Sequence, residues 1–193
     1  MIARVTDPTR LKFTQAPPIV PSGEPFDPET DVVMANTFFA HFVYRALCHA
    51  GRFDLVLAHM RERYGRMLGR GATTLWESFD PTASLCHGFS ATPVYQLSTE
   101  VLGVYPLTPG FERVRIHPRL ADLAFARGVF PSVRGDVAVA WKREPGRVLL
   151  DIDVPSGTTG YARAPVGYRF AASEIELGSG RHHLEATGSE HGV

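Results

Sequence analysis

Cysteine is scarce in this 193-residue chain, which has only Cys48 and Cys86. The two lack the close spacing of metal-binding pairs, so free buried thiols are expected in preference to a disulfide or metal ligands. His182 and His183 are adjacent on a predicted edge strand and have no further partner at metal-ligand spacing, which favours solvent exposure. The sequence therefore predicts no metal site and no cofactor.

An excess of charge of either sign is also missing. Twenty basic and 20 acidic residues give a formal net charge of zero, which provides no electrostatic case for a nucleic-acid or membrane-surface partner. No apolar run reaches about 18 residues, so no membrane span is expected. The N-terminal MIARVTDPTRLKF lacks the continuous apolar core of a secretory signal, and a cytoplasmic location is the expectation.

The first half of the chain has helical spacing. Residues 1–30 are expected to be an irregular lead-in, because five prolines in QAPPIVPSGEPFDPE interrupt helix and sheet. Residues 31–50 and 53–68 carry apolar residues at the three-four spacing of a buried helix face and predict an antiparallel helix pair. A third helix is predicted over 88–102, with Pro93 making its first part an irregular turn.

Beyond about Gly110 the hydrophobic period changes from three-four to two. Strands are predicted at 114–118, 135–143 and 147–155, with shorter ones within 159–165 and 173–186. The predicted fold class is α+β, with helices followed by an antiparallel β-sandwich of about six to eight strands. The predicted domains are the lead-in 1–30, helices 31–110, a β-sandwich 111–187 and a disordered tail 188–193.

One segment of the helical half suggests chemistry. GATTLWESFDP, residues 71–81, places Glu77 directly after Trp76. A tryptophan face can stack on a pyranose ring, and a carboxylate can accept hydrogen bonds from its hydroxyls. Aromatic neighbours that desolvate the carboxylate would also suit it to acid or base work. The alternative is that Trp76 fills a core while Glu77 pairs at the surface.

His87 follows ten residues later, at a predicted junction between loop and helix. It is a candidate to enter the same cleft and to hydrogen-bond a hydroxyl. A structural histidine whose hydrogen bonds are satisfied within the protein is the alternative.

Three segments together resemble a known family. They are GATTLWESFDP, SLCHGFSATPVYQLSTEVLGVYPLTPGFERVRIHP and GVFPSVRGDVAVAWKRE, and they resemble the C-terminal part of bacterial α-L-rhamnosidases. These are inverting glycoside hydrolases with a six-hairpin (α/α)₆ barrel followed by a C-terminal β-sandwich. The resemblance runs from about Met34 to about Thr187. It implies partial barrel helices followed by an antiparallel β-sandwich.

The resemblance also implies roles for the candidate residues. Glu77 would be the general base that activates water, Trp76 would line the sugar subsite, and His87 would contact substrate or hold the site. The implied substrate is a rhamnose-containing glycan or glycoside, and no cofactor is implied.

The family's general acid comes from a segment early in the barrel that has no counterpart in this sequence. Inversion requires two carboxyl groups roughly 6.5–9.5 Å apart. The chain is therefore expected to be the C-terminal portion of a hydrolase, completed by a missing N-terminal barrel polypeptide or by self-association. The alternative is a non-catalytic carbohydrate-binding or structural remnant.

Overall fold

The computed structural model describes residues 35–188. Their contacts divide the chain into two compact units, with the division between Pro93 and Val94. The predicted lead-in and residues 189–193 of the predicted tail lie outside the described residues. The predicted domain limit at 110 remains a prediction; the first β-strand already lies at Val104–Pro106.

The helical unit contains the predicted helix pair. Helix α1 spans Thr37–His49 and begins at Asn36, whose side chain accepts a hydrogen bond from the Thr37 amide. Helix α2 spans Phe53–Gly69. The link includes Gly51 at a φ of +75°, a conformation that glycine adopts without strain. The two helices bury a shared apolar face, made by Ala40, Tyr44, Leu47, Cys48, Phe53, Val56, Leu57, Met60, Tyr64 and Met67.

The predicted third helix is not continuous. A 3₁₀ turn at Gly88–Ser90 is followed by helix α3, Thr92–Gln96, and then by a π-helical turn at Leu97–Val101. Pro93 occupies the first turn of α3, where the missing amide hydrogen costs no helical hydrogen bond. The irregular start expected from Pro93 is therefore present, and the change of helix type beyond Gln96 was not predicted.

The sheet unit contains nine strands among the described residues. They are β1 (Val104–Pro106), β2 (Arg113–Ile116), β3 (Phe125–Ser132), β4 (Gly135–Glu144), β5 (Arg147–Val154), β6 (Thr159–Ala162), β7 (Tyr168–Arg169), β8 (Ile175–Leu177) and β9 (Gly180–Gly188). They form one sheet of order β1-β2-β6-β8 and a second of order β3-β4-β5-β9-β7. The α+β class is confirmed.

Two details of the predicted sandwich are corrected. The nine strands of the described residues exceed the expected six to eight, because β1 and β7 are too short to show an alternating pattern and β3 contains a glycine and a proline. One pairing, β2 with β6, is parallel. The chain passes through β3, β4 and β5 of the other sheet between these two strands, and such a long crossover permits parallel pairing.

The inner faces of the two sheets meet in a dry core. Strand β5 alternates strictly, with Val148, Leu150, Ile152 and Val154 buried. Gly160 in β6 marks the close approach, because a Cβ there would lie 3.1 Å from Ile116 Cδ1 and 3.2 Å from Val154 Cγ2. Within residues 35–188, no helix is both long and apolar enough to cross a membrane.

Candidate functional site

The loop after α2 brings the two candidate polar residues together. The Glu77 amide donates to the Ser84 carbonyl at 2.8 Å, and the His87 amide donates to the Leu75 carbonyl at 2.8 Å. These bonds pair the two arms of the loop side by side. As a result, residues ten positions apart in sequence become neighbours in space.

Glu77 and His87 face each other across this pairing. Oε2 of Glu77 lies 3.8 Å from Nδ1 of His87, and the two side chains are 41% and 37% exposed. The separation is too long for a direct hydrogen bond but short enough for electrostatic attraction. The same Glu77 oxygen accepts a bond from the Ser84 amide at 3.3 Å. Glu77 is therefore oriented by the loop and open to solvent, and aromatic neighbours do not desolvate it.

Three contacts fix this loop to the helices and to itself. Thr37, fully buried at the start of α1, donates its hydroxyl to the Glu77 carbonyl. Thr74 donates its hydroxyl to the Leu85 carbonyl. Phe79 packs edge-on against Tyr64 of α2, with ring centroids 5.2 Å apart. The role of Thr37 was missed from the sequence, because nothing local links it to a residue 40 positions away.

Trp76 does not share the exposure of its neighbour. It is 5% exposed and belongs to the core of the helical unit. Its indole therefore has little surface available for stacking on a ring, which favours the packing interpretation that the sequence left open. Its assignment to a sugar subsite remains a prediction.

Next to His87 lies an aromatic patch, defined as Phe38, Phe39, Phe42 and Phe89. These rings are 41–60% exposed, and each contacts another at centroid distances of 5.4–5.9 Å. The His87 ring lies 4.1 Å from that of Phe89. The sequence predicted a largely buried stripe on this helix, and this is corrected for the three α1 phenylalanines. Exposed aromatic clusters of this kind mark contact surfaces.

A second histidine of the helical unit is buried. His59 Nδ1 lies 2.5 Å from the Tyr44 hydroxyl. Burial, with a smaller contribution from the positive charge of Arg63, lowers the pKa of His59 from 6.5 to about 4. His59 is therefore neutral near pH 7 and acts as a structural hydrogen-bonding group between α1 and α2.

The described part of the chain contains no candidate metal site. Residues 35–188 contain no cluster of three or more His, Cys, Asp or Glu side chains placed to hold an ion. No disulfide joins Cys48 and Cys86. Cys48 is buried as expected, whereas Cys86 is exposed, which corrects the expectation of a buried thiol at that position.

Comparison with known proteins finds a family model that is similar to part of the sheet unit. Residues 103–168 match the model of the bacterial α-L-rhamnosidase C-terminal domain. This segment is similar to a rhamnosidase C-terminal domain. The predicted resemblance is thereby confirmed. The loop that carries Glu77 and His87 lies before the matched residues.

Full-length relatives extend the likeness into the helical unit. An α-L-rhamnosidase of Alteromonas sp. (strain LOR) is 31% identical, and the match covers 66% of this chain and 16% of that protein. The chain therefore spans about a sixth of the length of this rhamnosidase relative.

Solved structures share the fold. The α-L-rhamnosidase from Dictyoglumus thermophilum has a TM-score of 0.69 at 19% identity, over 78% of this chain and 21% of that one. The Streptomyces avermitilis α-L-rhamnosidase, solved with L-rhamnose, has a TM-score of 0.67 at 23% identity, over 76% and 17%. At these identities the likeness shows the fold alone.

Proposed function

We propose that this chain supplies the C-terminal part of an α-L-rhamnosidase-type glycoside hydrolase and that Glu77 is its general base. The observation that carries the proposal is the Glu77–His87 pair. Its carboxylate is held by the Ser84 amide, its imidazole lies 3.8 Å away, and both are open to solvent. The proposed substrate is a rhamnose-containing glycan or glycoside, supported by the rhamnosidase relatives.

The proposed chemistry is a single displacement with inversion. Glu77 removes a proton from a water molecule as that water attacks the anomeric carbon of the sugar. His87 orients the carboxylate or donates to a sugar hydroxyl. Thr37 and the Ser84 amide limit the movement of Glu77, which keeps the base in a fixed direction.

The general acid must come from outside the described helical unit. Besides Glu77, residues 35–93 contain three carboxylates, Asp54, Glu62 and Asp80. Asp54 pairs with Arg52 and Glu62 with Arg66, both on the surface of the helix pair. Asp80 accepts a hydrogen bond from the Thr82 amide within its own turn. We propose that barrel elements outside this chain supply the acid, as the resemblance to inverting rhamnosidases implies.

The aromatic patch supports the same assignment. Burying a phenylalanine contributes about 1.5–3 kcal/mol, so four half-exposed rings represent a substantial unused contact energy. We propose that barrel helices of the complete hydrolase cover Phe38, Phe39, Phe42 and Phe89. The alternative is that a second copy of this chain covers the same rings.

A non-catalytic role is the alternative function. It is favoured by the burial of Trp76 and by the engagement of every other carboxylate in residues 35–93. In that case the chain would bind carbohydrate without hydrolysing it, or would have a structural role alone.

Hydrolysis of 4-nitrophenyl α-L-rhamnoside distinguishes these roles. The assay uses the chain produced together with the sequence encoded upstream of it. Glu77→Gln is expected to lower kcat by about 10²–10⁴-fold, the usual contribution of a positioned base. The matched control is Asp54→Asn, a 57% exposed carboxylate of the same unit that pairs with Arg52 at 3.0 Å, and it should leave kcat unchanged.

Proton NMR of the first released sugar reports the stereochemistry, and inversion predicts the β-anomer first. Wild-type kcat in Glu77→Gln would remove Glu77 from the mechanism. Rhamnose binding without hydrolysis in any combination would favour the non-catalytic role.

A further inference from the structure

A second candidate site lies in the sheet unit, on the outward face of the five-stranded sheet. A groove of about 590 Å³ opens there over β3, β4, β5 and β9. This volume is within the roughly 300–1,000 Å³ range of small-molecule sites. None of its residues belongs to the loop that carries Glu77.

Strand register explains the groove. Two rows of side chains cross the sheet at right angles to the strands. One row is Arg127, Ala140, Asp151 and His183, and the other is Val129, Ala138, Asp153 and Arg181. In each row the β4 position is an alanine, so the surface is low along β4 while the larger side chains of β3 and β5 rise on either side of it.

The width of the groove follows from the strand spacing. Arg127 and Asp151 belong to strands that flank β4, so their backbones are about 10 Å apart, twice the spacing of neighbouring strands. The floor consists of Ala138 and Ala140, both half-buried. A single sugar ring with its apolar face on such a floor would reach polar groups on both walls.

The walls present hydrogen-bonding groups of both kinds. Oδ1 of Asp151 accepts a hydrogen bond from His183, and Oδ2 of Asp153 accepts one from Arg181. Among residues 35–188, the second oxygen of each carboxylate has no hydrogen-bond donor, and the Arg127 guanidinium has no acceptor or ion-pair partner. Open acceptors on one wall thus face an open, multiply donating group on the other.

This pattern selects the ligand class. The two arginines balance the two aspartates, which disfavours nucleic acid and other polyanions. The pairing of both carboxylates with basic side chains disfavours a cation. The outward apolar side chains of the groove, Val129, Ala138 and Ala140, are all small, and none is the large aromatic or aliphatic anchor that a peptide partner would need. We propose that the groove binds a neutral, hydroxyl-rich ligand, a monosaccharide unit, in a site separate from Glu77.

Chemical-shift titration of the ¹⁵N-labelled full chain tests the site. The probes are L-rhamnose, D-glucose and D-galactose, added one at a time. At least one is expected to shift the amides of residues 127–129, 138–140, 151–153 and 181–183 in a saturable manner.

Two variants localise the binding. Ala140→Leu fills the floor and should abolish the shifts, whereas Lys142→Leu, two positions along the same strand and outside the groove, should not. Asp153→Asn keeps the shape and should weaken binding about tenfold, because bonds to a charged acceptor are the stronger ones.

Four results would overturn the inference. The first is no saturable shift with any of the three sugars, and the second is shifts confined to residues near Glu77 and His87. The third is equal binding in Ala140→Leu and Lys142→Leu. The fourth is groove shifts that depend on protein concentration and not on sugar concentration. The second would leave the proposed base in place, so failure of this site and failure of the proposed function are distinguishable.

Discussion

Acidification from about pH 7.5 to about pH 5 is expected to destabilise the helical unit through His59. The folded state holds this imidazole neutral with a pKa of about 4, against 6.5 when exposed. Between these values the unfolded chain binds a proton that the folded chain does not. The free energy of unfolding therefore falls as the pH drops below 6.5, and the loss is complete below about 4.

The magnitude follows from the shift. A difference of about 2.5 pKa units corresponds to roughly 3 kcal/mol at full protonation, of which about 2 kcal/mol is lost by pH 5. Protonation also disturbs the 2.5 Å contact between His59 Nδ1 and the Tyr44 hydroxyl. This loss is a large fraction of ordinary domain stability.

Urea unfolding followed by circular dichroism at 222 nm, which reports mainly on α1 and α2, measures the effect. His59→Gln retains a hydrogen-bonding group but cannot titrate, so its loss between the two pH values should be about 2 kcal/mol smaller than in wild type. His49→Gln is the control, because His49 is exposed and its Nδ1 contacts the Arg45 carbonyl of its own helix. If His59→Gln and wild type lose equal stability, the burial argument for His59 is refuted.

Two further predictions concern the sheet unit, each read by urea unfolding with Trp141 fluorescence or far-UV circular dichroism. Gly103→Ala should cost about 3 kcal/mol or more, because its Cβ would lie 2.3 Å from the His117 carbonyl carbon. Gly146→Ala, at a similar positive φ with no atom within 4 Å, should cost only about 1 kcal/mol, and equal costs would contradict the steric argument. Trp141→Phe should cost about 2 kcal/mol, since it removes the 2.8 Å bond from Nε1 to the Val101 carbonyl. An unchanged midpoint would show that this bond contributes nothing.

The sequence predicts elements well where one period dominates. Helices α1 and α2 follow from three-four spacing, and β4 and β5 from alternation. Strand β3 was not predicted because FARGVFPS contains a glycine and a proline. It is an edge strand of its sheet, the position at which proline is tolerated.

The candidate site was predictable in part. Residue type and resemblance selected Glu77 and His87, but their proximity depends on hydrogen bonds between the arms of a loop that has no periodic signature. That Trp76 is buried while the next residue, Glu77, is exposed could not be predicted from their being neighbours in the sequence. Nor could the exposure of Phe38, Phe39 and Phe42, because apolar spacing predicts a contact face without saying what covers it.

The opposite orientations of Trp76 and Glu77 restrict how this loop can change in length. Leu75 and Glu77 both bond across to the other arm, while the residue between them turns inward. Deleting Leu75 would move Glu77 to the position that Trp76 holds, leaving a carboxylate in the core and an indole in water.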